Sequence, residues 1–226
     1  YASRKIFLNN SQVIYNPIPI NNGNKVVLRK TLNEEFLITD NELVISNVGR
    51  ITPWKGQLYF LKALVEVMKQ GINIKVLIIG SAGDNKKDHN YLDVIKAFTN
   101  STPLLKNNVI YTGLRKDAAC LMAASDLVIH SAIEPEPFGR VIAEAMAAGT
   151  AVVASNEGGV TEIIHHRETG LLVTPKNIIE LRNAILELIN SNKLSSTIVS
   201  KAKNEVLKRF SIEQHSENIQ KLYLKV

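Results

Sequence analysis

The chain is 226 residues long and 45% hydrophobic, enough to bury a sizeable core as one domain with small appendages. No apolar run approaches the roughly 18 residues that span a membrane and no signal peptide opens the sequence, so a soluble, cytoplasmic protein is expected. The lone Cys120 excludes an internal disulfide. The net charge of +6 suits anionic ligands or an anionic membrane surface, but it is scattered and lacks aromatic interleaving, so no nucleic-acid partner is expected.

Tyr1 to Asn10 begins without an initiator Met, in what could be the end of a helix. Ser11 to Ile20, S-Q-V-I-Y-N-P-I-P-I, reads as a short strand running into a proline-stiffened loop. Val26 to Glu35 is a possible helix. Leu43 to Val48 is a compact β-rich run that delivers G-R-I-T-P-W-K-G, Gly49 to Gly56, ahead of an amphipathic helix at Leu58 to Lys69. That turn carries two cations, Arg50 and Lys55, and has neither a phosphate-binding G-x-x-x-x-G-K-[ST] nor the G-x-G-x-x-G of dinucleotide binders. Trp54 beside them is either a ligand contact or an anchor for the loop. Ile74 to Ile79 is the next strand, followed by G-S-A-G-D and a helix over Asp88 to Thr99. Val109 to Thr112 is a third strand, leading through Gly113, Leu114 and Arg115 into a helix from Asp117 to Ala124.

Leu127 to His130 precedes the stretch around which the chain is organised, E-P-E-P-F-G-R-V-I-A-E-A-M-A-A-G-T-A-V-V-A-S, Glu134 to Ser155. Pro135 and Pro137 hold Glu134 and Glu136 in an extended approach. A helix from Gly139 to Ala148, ended by Gly149 as a left-handed cap, leads to a strand at Ala151 to Ala154. Alternation of strand and helix predicts a parallel α/β sheet, in which ligands lie beyond the carboxyl ends of the strands. The loops beginning at Gly49, Gly80, Gly113, Ser131 and Ser155 then gather glycines, cations and acids on one edge. A helix start with free amides suits a phosphate, and Glu136 and Glu144 suit hydroxyls on either side of it, which together describe a nucleotide-sugar. Taken singly, Glu136 reads more readily as a solvated loop charge and Glu144 as a favourable acid near a helix start; the other loops shift the balance towards a ligand. His130, closing its strand, fits a packed or solvent-facing residue better than a ligand contact, and the five histidines lack metal-ligand spacing. Gly158, Gly159 and Glu162 form a further candidate loop. T-G-L-L-V-T-P, Thr169 to Pro175, gives a last short strand and turn. Ile178 to Ser191 and Leu194 to Lys208 are amphipathic helices, and Ser211 caps a final helix reaching Tyr223.

E-P-F-G-R-V-I-A-E followed by A-M-A-A-G-T-A-V-V-A-S closely resembles the acidic-pair motif of the retaining glycosyltransferases with the GT-B fold, of the group 1 or family 4 type. G-R-I-T-P-W-K-G resembles that family's Arg and Lys pair, and V-I-Y-N-P-I its interdomain connection. The likeness extends over nearly the whole chain, but only to the family's C-terminal, donor-binding half. It implies a Rossmann-like parallel sheet flanked by helices. Residues 1–20 would be the connection from an absent N-terminal domain, 21–210 the nucleotide-sugar-binding domain, and 211–226 a helix packing on that absent domain.

The resemblance further implies transfer of a hexose-type sugar from a nucleoside diphosphate sugar with retention of configuration, without a cofactor or required metal. By matched position, Arg50 and Lys55 would hold the pyrophosphate, Glu136 would contact the donor sugar and Glu144 the ribose hydroxyls. The main chain of Phe138, Gly139, Arg140 and Val141 would meet sugar and phosphate, with Leu114 and Arg115 near the base. The acceptor site belongs to the absent half, and peripheral membrane association is open. The alternative is a non-catalytic nucleotide-sugar-binding module or scaffold acting with a separate acceptor subunit. An epimerase or phosphorylase of the same architecture lacks identifiable acid/base groups or a pyridoxal-binding Lys, and the missing glycine fingerprint disfavours a dehydrogenase.

Overall fold

A computed structural model describes residues 13–19 and 23–224. Six parallel strands form one sheet in the order β3-β2-β1-β4-β5-β6. They are β1 (Leu43–Val48), β2 (Ile74–Ile79), β3 (Val109–Gly113), β4 (Leu127–His130), β5 (Ala151–Ser155) and β6 (Leu171–Val173). Val44, Ile45, Ser46 and Asn47 of β1 are all buried, as are all residues of β4 and β5. Both faces of this part of the sheet are therefore covered, which is why these strands read as unbroken apolar runs.

The helices are α1 (Lys25–Phe36), α2 (Gln57–Met68), α3 (Lys86–Ser101), α4 (Pro103–Lys106), α5 (Ala118–Ala124) and α6 (Arg140–Ala147). They continue with α7 (Val160–Ile163), α8 (Ile178–Asn190), α9 (Asn192–Phe210) and α10 (Ile212–Tyr223). Phe60, Leu64, Ile95 and Ile185 pack α2, α3 and α8 against one sheet face, where Ile45, Ile78 and Val153 point. On the other face Val128 and Val152 meet Ile142, Met146, Val206 and Phe210 of α6 and α9, and Leu32 and Leu121 join α1 and α5 to Val44 and Leu77. Each large side chain fully withdrawn from water in these layers contributes about 1.5–3 kcal/mol. Among the described residues no helix is long and apolar enough to cross a membrane.

Strand order reverses beside β1, whose neighbours are β2 on one side and β4 on the other. In open α/β sheets this switch point opens a crevice at the carboxyl edge. Loops 49–56 and 131–139 therefore lie next to each other although some 80 residues separate them in sequence, as the hydrogen bond from Ile133 N to Trp54 O (2.8 Å) shows.

One expectation changes. Residues 13–19 form no strand: Pro17 and Pro19 offer no N–H to a ladder, and the segment is held by Ile18 N donating to Phe210 O (3.0 Å). Within the expected turn from Gly49 to Gly56, Pro53–Lys55 forms one 3-10 turn. The expected helix end at Tyr1 to Asn10, and Ser11, Gln12 and Ile20 of the connection, lie outside the described residues.

Candidate active site

The first loop leaves β1 at Gly49 and is stitched to its neighbours by main-chain bonds, Gly49 N to Ile79 O (2.9 Å) and Ile51 N to Ser81 O (2.8 Å). The 3-10 turn then aims Lys55 across the crevice. Lys55 O accepts from Ser131 Oγ (3.0 Å), and the Ser131 hydroxyl itself accepts from Asn47 Nδ2 (3.1 Å), so buried polar groups of β1 and β4 fix the turn. The Lys55 ammonium stands over the Trp54 ring, 4.3 Å from its centroid, which makes Trp54 an anchor.

Glu136 approaches from the other side. The segment bends on either side of Glu136, which pairs with Gly158 through an isolated main-chain bridge, its carbonyl accepting from Gly159 N at 2.7 Å. A Cβ on Gly158 would lie 2.4 Å from Glu136 O, so the close approach requires glycine there. So held, the Glu136 carboxylate is ion-paired with Lys55 and hydrogen-bonded to His130 Nε2 at 3.1 Å. Burial pushes the Glu136 carboxyl up, but the hydrogen bonds from His130 and Lys55 and the nearby charge of Lys55 outweigh it and hold the carboxyl at about 2. Burial also depresses His130, whose side chain is only 3% exposed and whose Nδ1 has no hydrogen-bond partner among the described residues. At neutral pH Glu136 is therefore a carboxylate and His130 an uncharged imidazole beside it.

Arg50 lines a cavity of about 530 Å³ together with Gly80, Ser81, Gly83, Leu114 and Arg115, at the carboxyl ends of β1, β2 and β3. This volume suits a nucleotide-sized ligand. The side chain of Arg115 is already committed to Glu35 and to Asp117 (2.7 Å), bonds that raise its basicity further, so only its main chain remains for a ligand. A larger open groove of about 960 Å³ runs beside α1 at the amino edge of the sheet. There Arg29 is occupied by Asp126 (2.8 Å) and the Glu42 carbonyl (2.6 Å).

At the start of α6, Gly139 caps the helix at φ 93° with no side-chain cap, which leaves the first amides for another acceptor. Glu144 sits one turn on and is taken by Arg140, Nε to Oε1 at 2.6 Å. The Phe138 ring turns away from the crevice to stack on Tyr15 (5.8 Å) and meet Phe210 edge-on. Glu162, a weaker candidate, is tied into the same cluster by the Tyr15 hydroxyl, which donates to it at 2.8 Å.

Structure thus gathers Lys55 and Glu136 in one ion pair, sets Arg50 and Leu114 on the adjoining cavity, and places Glu144 and Arg140 at the next helix start. Sequence reading missed Asp88. This buried carboxyl on the first turn of α3 is held below its usual range by the Thr52 hydroxyl, then by Asn85 and the charge of Arg50. Nothing in K-K-D-H-N marks it for burial; its spacing three residues after the cap Asn85 was the only available signal.

Residues 29–205 match the family described as glycosyl transferases group 1. The chain belongs to this family. An uncharacterized glycosyltransferase of Methanocaldococcus jannaschii is 31% identical over 84% of this chain and 47% of its own length. HepE of Anabaena, solved with UDP and with UDP-glucose, is 32% identical and superposes with a TM-score of 0.80 over 92% of this chain and 57% of its own. The C-terminal domain of the group 1 protein LpcC from Francisella tularensis, at 22% identity, shares the fold, with a TM-score of 0.72 over 88% of this chain and 97% of that domain. This glycosyltransferase chain spans about half the length of the curated relatives it matches, and its architecture is that of a C-terminal GT-B half.

Proposed function

We propose that this chain is the donor-binding half of a retaining glycosyltransferase that moves a hexose-type sugar from a nucleoside diphosphate sugar to an acceptor. The observation that carries the reading is the Lys55, Glu136 and His130 group at the switch point, beside a cavity lined by Arg50. HepE, solved with UDP-glucose, offers a chemical precedent. In this reading the nucleoside lies in the cavity under Leu114 and Arg115, and the diphosphate between Arg50, Lys55 and the amides of Phe138 to Val141. Glu136 accepts from a sugar hydroxyl. Glu144 accepts from the ribose after Arg140 releases it.

Bond cleavage at the anomeric carbon leaves charge on the diphosphate. Arg50 gives it a planar fork and Lys55 a compact charge, and each such donor fixed in advance contributes on the order of 3 kcal/mol in a water-poor site. The acceptor and its binding groups come from an N-terminal domain joined through residues 1–20. On this reading 211–226 docks against that domain: α10 has no buried residue among those described and exposes Ile212 and Tyr223.

The test is calorimetric titration of the chain with UDP-, GDP- and ADP-sugars and their free diphosphates, beside Glu144→Ala and Lys55→Ala. Binding of one nucleotide series, weakened in both variants, is the expected result. A folded chain that binds none of them refutes the proposal. Retention is then checked by NMR on the glycoside formed by the protein with its acceptor domain, where an inverted anomer would contradict it.

A further inference from the structure

Two donors reach Glu136 from different elements, and both land on the same oxygen. Lys55 Nζ comes from the 3-10 turn and His130 Nε2 from the end of β4, and each meets Oε2. Oε1 receives no donor from the described residues. A carboxylate gripped at one oxygen from two directions cannot rotate freely about its terminal bond, so its second oxygen faces a defined direction.

His130 differs from Lys55 in one respect that decides its role. Its ring is buried and Nδ1 has no acceptor among the described residues, so a proton there would be an unsatisfied buried donor. The uncharged ring with its hydrogen on Nε2 is the form that fits, and that hydrogen goes to Glu136. A diphosphate arriving in the crevice attracts the Lys55 ammonium and repels the Glu136 carboxylate. An uncharged donor feels neither pull strongly. It keeps Oε2 in place while Lys55 shares its hydrogens with the incoming anion.

We propose that His130 is a positioning residue for donor-sugar recognition, which by holding Oε2 of Glu136 selects Oε1 as the oxygen offered to a sugar hydroxyl. The inference rests on Glu136 being a donor-sugar contact, as argued above. It makes the ratio of affinities for a nucleotide-sugar and its free diphosphate the quantity that His130 controls.

The experiment is titration calorimetry of the chain with UDP and with UDP-glucose, comparing wild type with His130→Leu, His130→Gln and Glu136→Gln after melting curves establish folding. In His130→Leu the UDP-glucose to UDP affinity ratio should fall about tenfold, the size of one charge-assisted hydrogen bond, while UDP itself binds within about twofold of wild type. His130→Gln, whose amide carries an N–H at comparable reach, should recover part of the ratio. Equal losses for both ligands mean a purely structural histidine and overturn the inference. So does an unchanged ratio in His130→Leu when Glu136→Gln lowers it. A wild-type ratio of one, or no change in Glu136→Gln, removes the reading of Glu136 and the inference with it. Should the histidine variants not fold, nitrogen NMR of the wild-type imidazole decides. A neutral ring with hydrogen on Nε2, shifted by UDP-glucose and not by UDP, supports the role; an imidazolium, or equal shifts with both ligands, overturns it.

Discussion

Replacing Gly158 with Ala should damage the site from outside it. The residue has φ +66°, a left-handed conformation that costs an L side chain about 1–2 kcal/mol, and the added Cβ would lie 2.4 Å from Glu136 O and 2.7 Å from Glu136 N. Both are main-chain atoms, so relief requires the segment carrying Glu136 to move, at a further cost of about 1–3 kcal/mol. Gly71 provides the matched control: its φ is +80° and nothing lies within 4 Å of its added Cβ. Gly71→Ala should therefore lose about 1.5 kcal/mol and Gly158→Ala about 3.5 kcal/mol, or melting points lower by about 5 and 10 °C for a chain of this size. Thermal melts followed by circular dichroism measure the first effect and titration with UDP-glucose the second. Only Gly158→Ala should weaken the sugar-dependent part of binding. Equal destabilisation, or unaltered binding in Gly158→Ala, would refute the argument that the bridge sets the position of Glu136.

Three other predictions follow from the charges. Glu136 has a carboxyl at about 2, below its ordinary 4.5, so its ion pair stabilises the fold fully above pH 4.5 and progressively less as pH falls towards 2. The stability difference between wild type and Glu136→Gln, read from urea midpoints between pH 6 and pH 3, should shrink with acid; a constant difference contradicts the assignment. Arg140→Ala removes an exposed helix pair worth about 0.3–0.5 kcal/mol and frees Glu144, so melting should barely change while UDP affinity rises if Arg140 competes with the ribose. Weaker UDP binding would mean instead that Arg140 itself holds the ligand. Asp88→Asn leaves the Thr52 hydroxyl, Asn85 and Arg50 facing a neutral amide and should cost about 1–3 kcal/mol and loosen the Arg50 loop, seen as lower diphosphate affinity; a variant as stable as wild type would contradict a structural role for the charge.

Much of the scaffold was legible because its strands are buried on both faces. β1, β2 and β4 stand at the boundaries their apolar runs suggest, and Ser211 caps α10 through its hydroxyl as the local pattern requires, accepting from Gln214 N at 3.1 Å. Short turns were not legible. Pro53–Lys55 and Pro103–Lys106 have too few residues for periodicity to register. The residue types of the site could be read from sequence, but their pairing could not. Lys55 meets Glu136 and Arg115 meets Glu35 only because the strand order brings distant loops together, and no local pattern encodes such partners. For His130 the sequence left packed and solvent-facing positions both open; the fold buries it, and its bond to Glu136 depends on a ring orientation fixed only there.

The central claim is that the donor diphosphate lies at the carboxyl edge of β1 and β4. A crystal structure of this chain with UDP-glucose tests it most directly. The account predicts the diphosphate between Arg50, Lys55 and the first amides of α6, with a sugar hydroxyl on Oε1 of Glu136. Nucleotide seated in the groove beside α1, with the switch-point crevice empty, would contradict it.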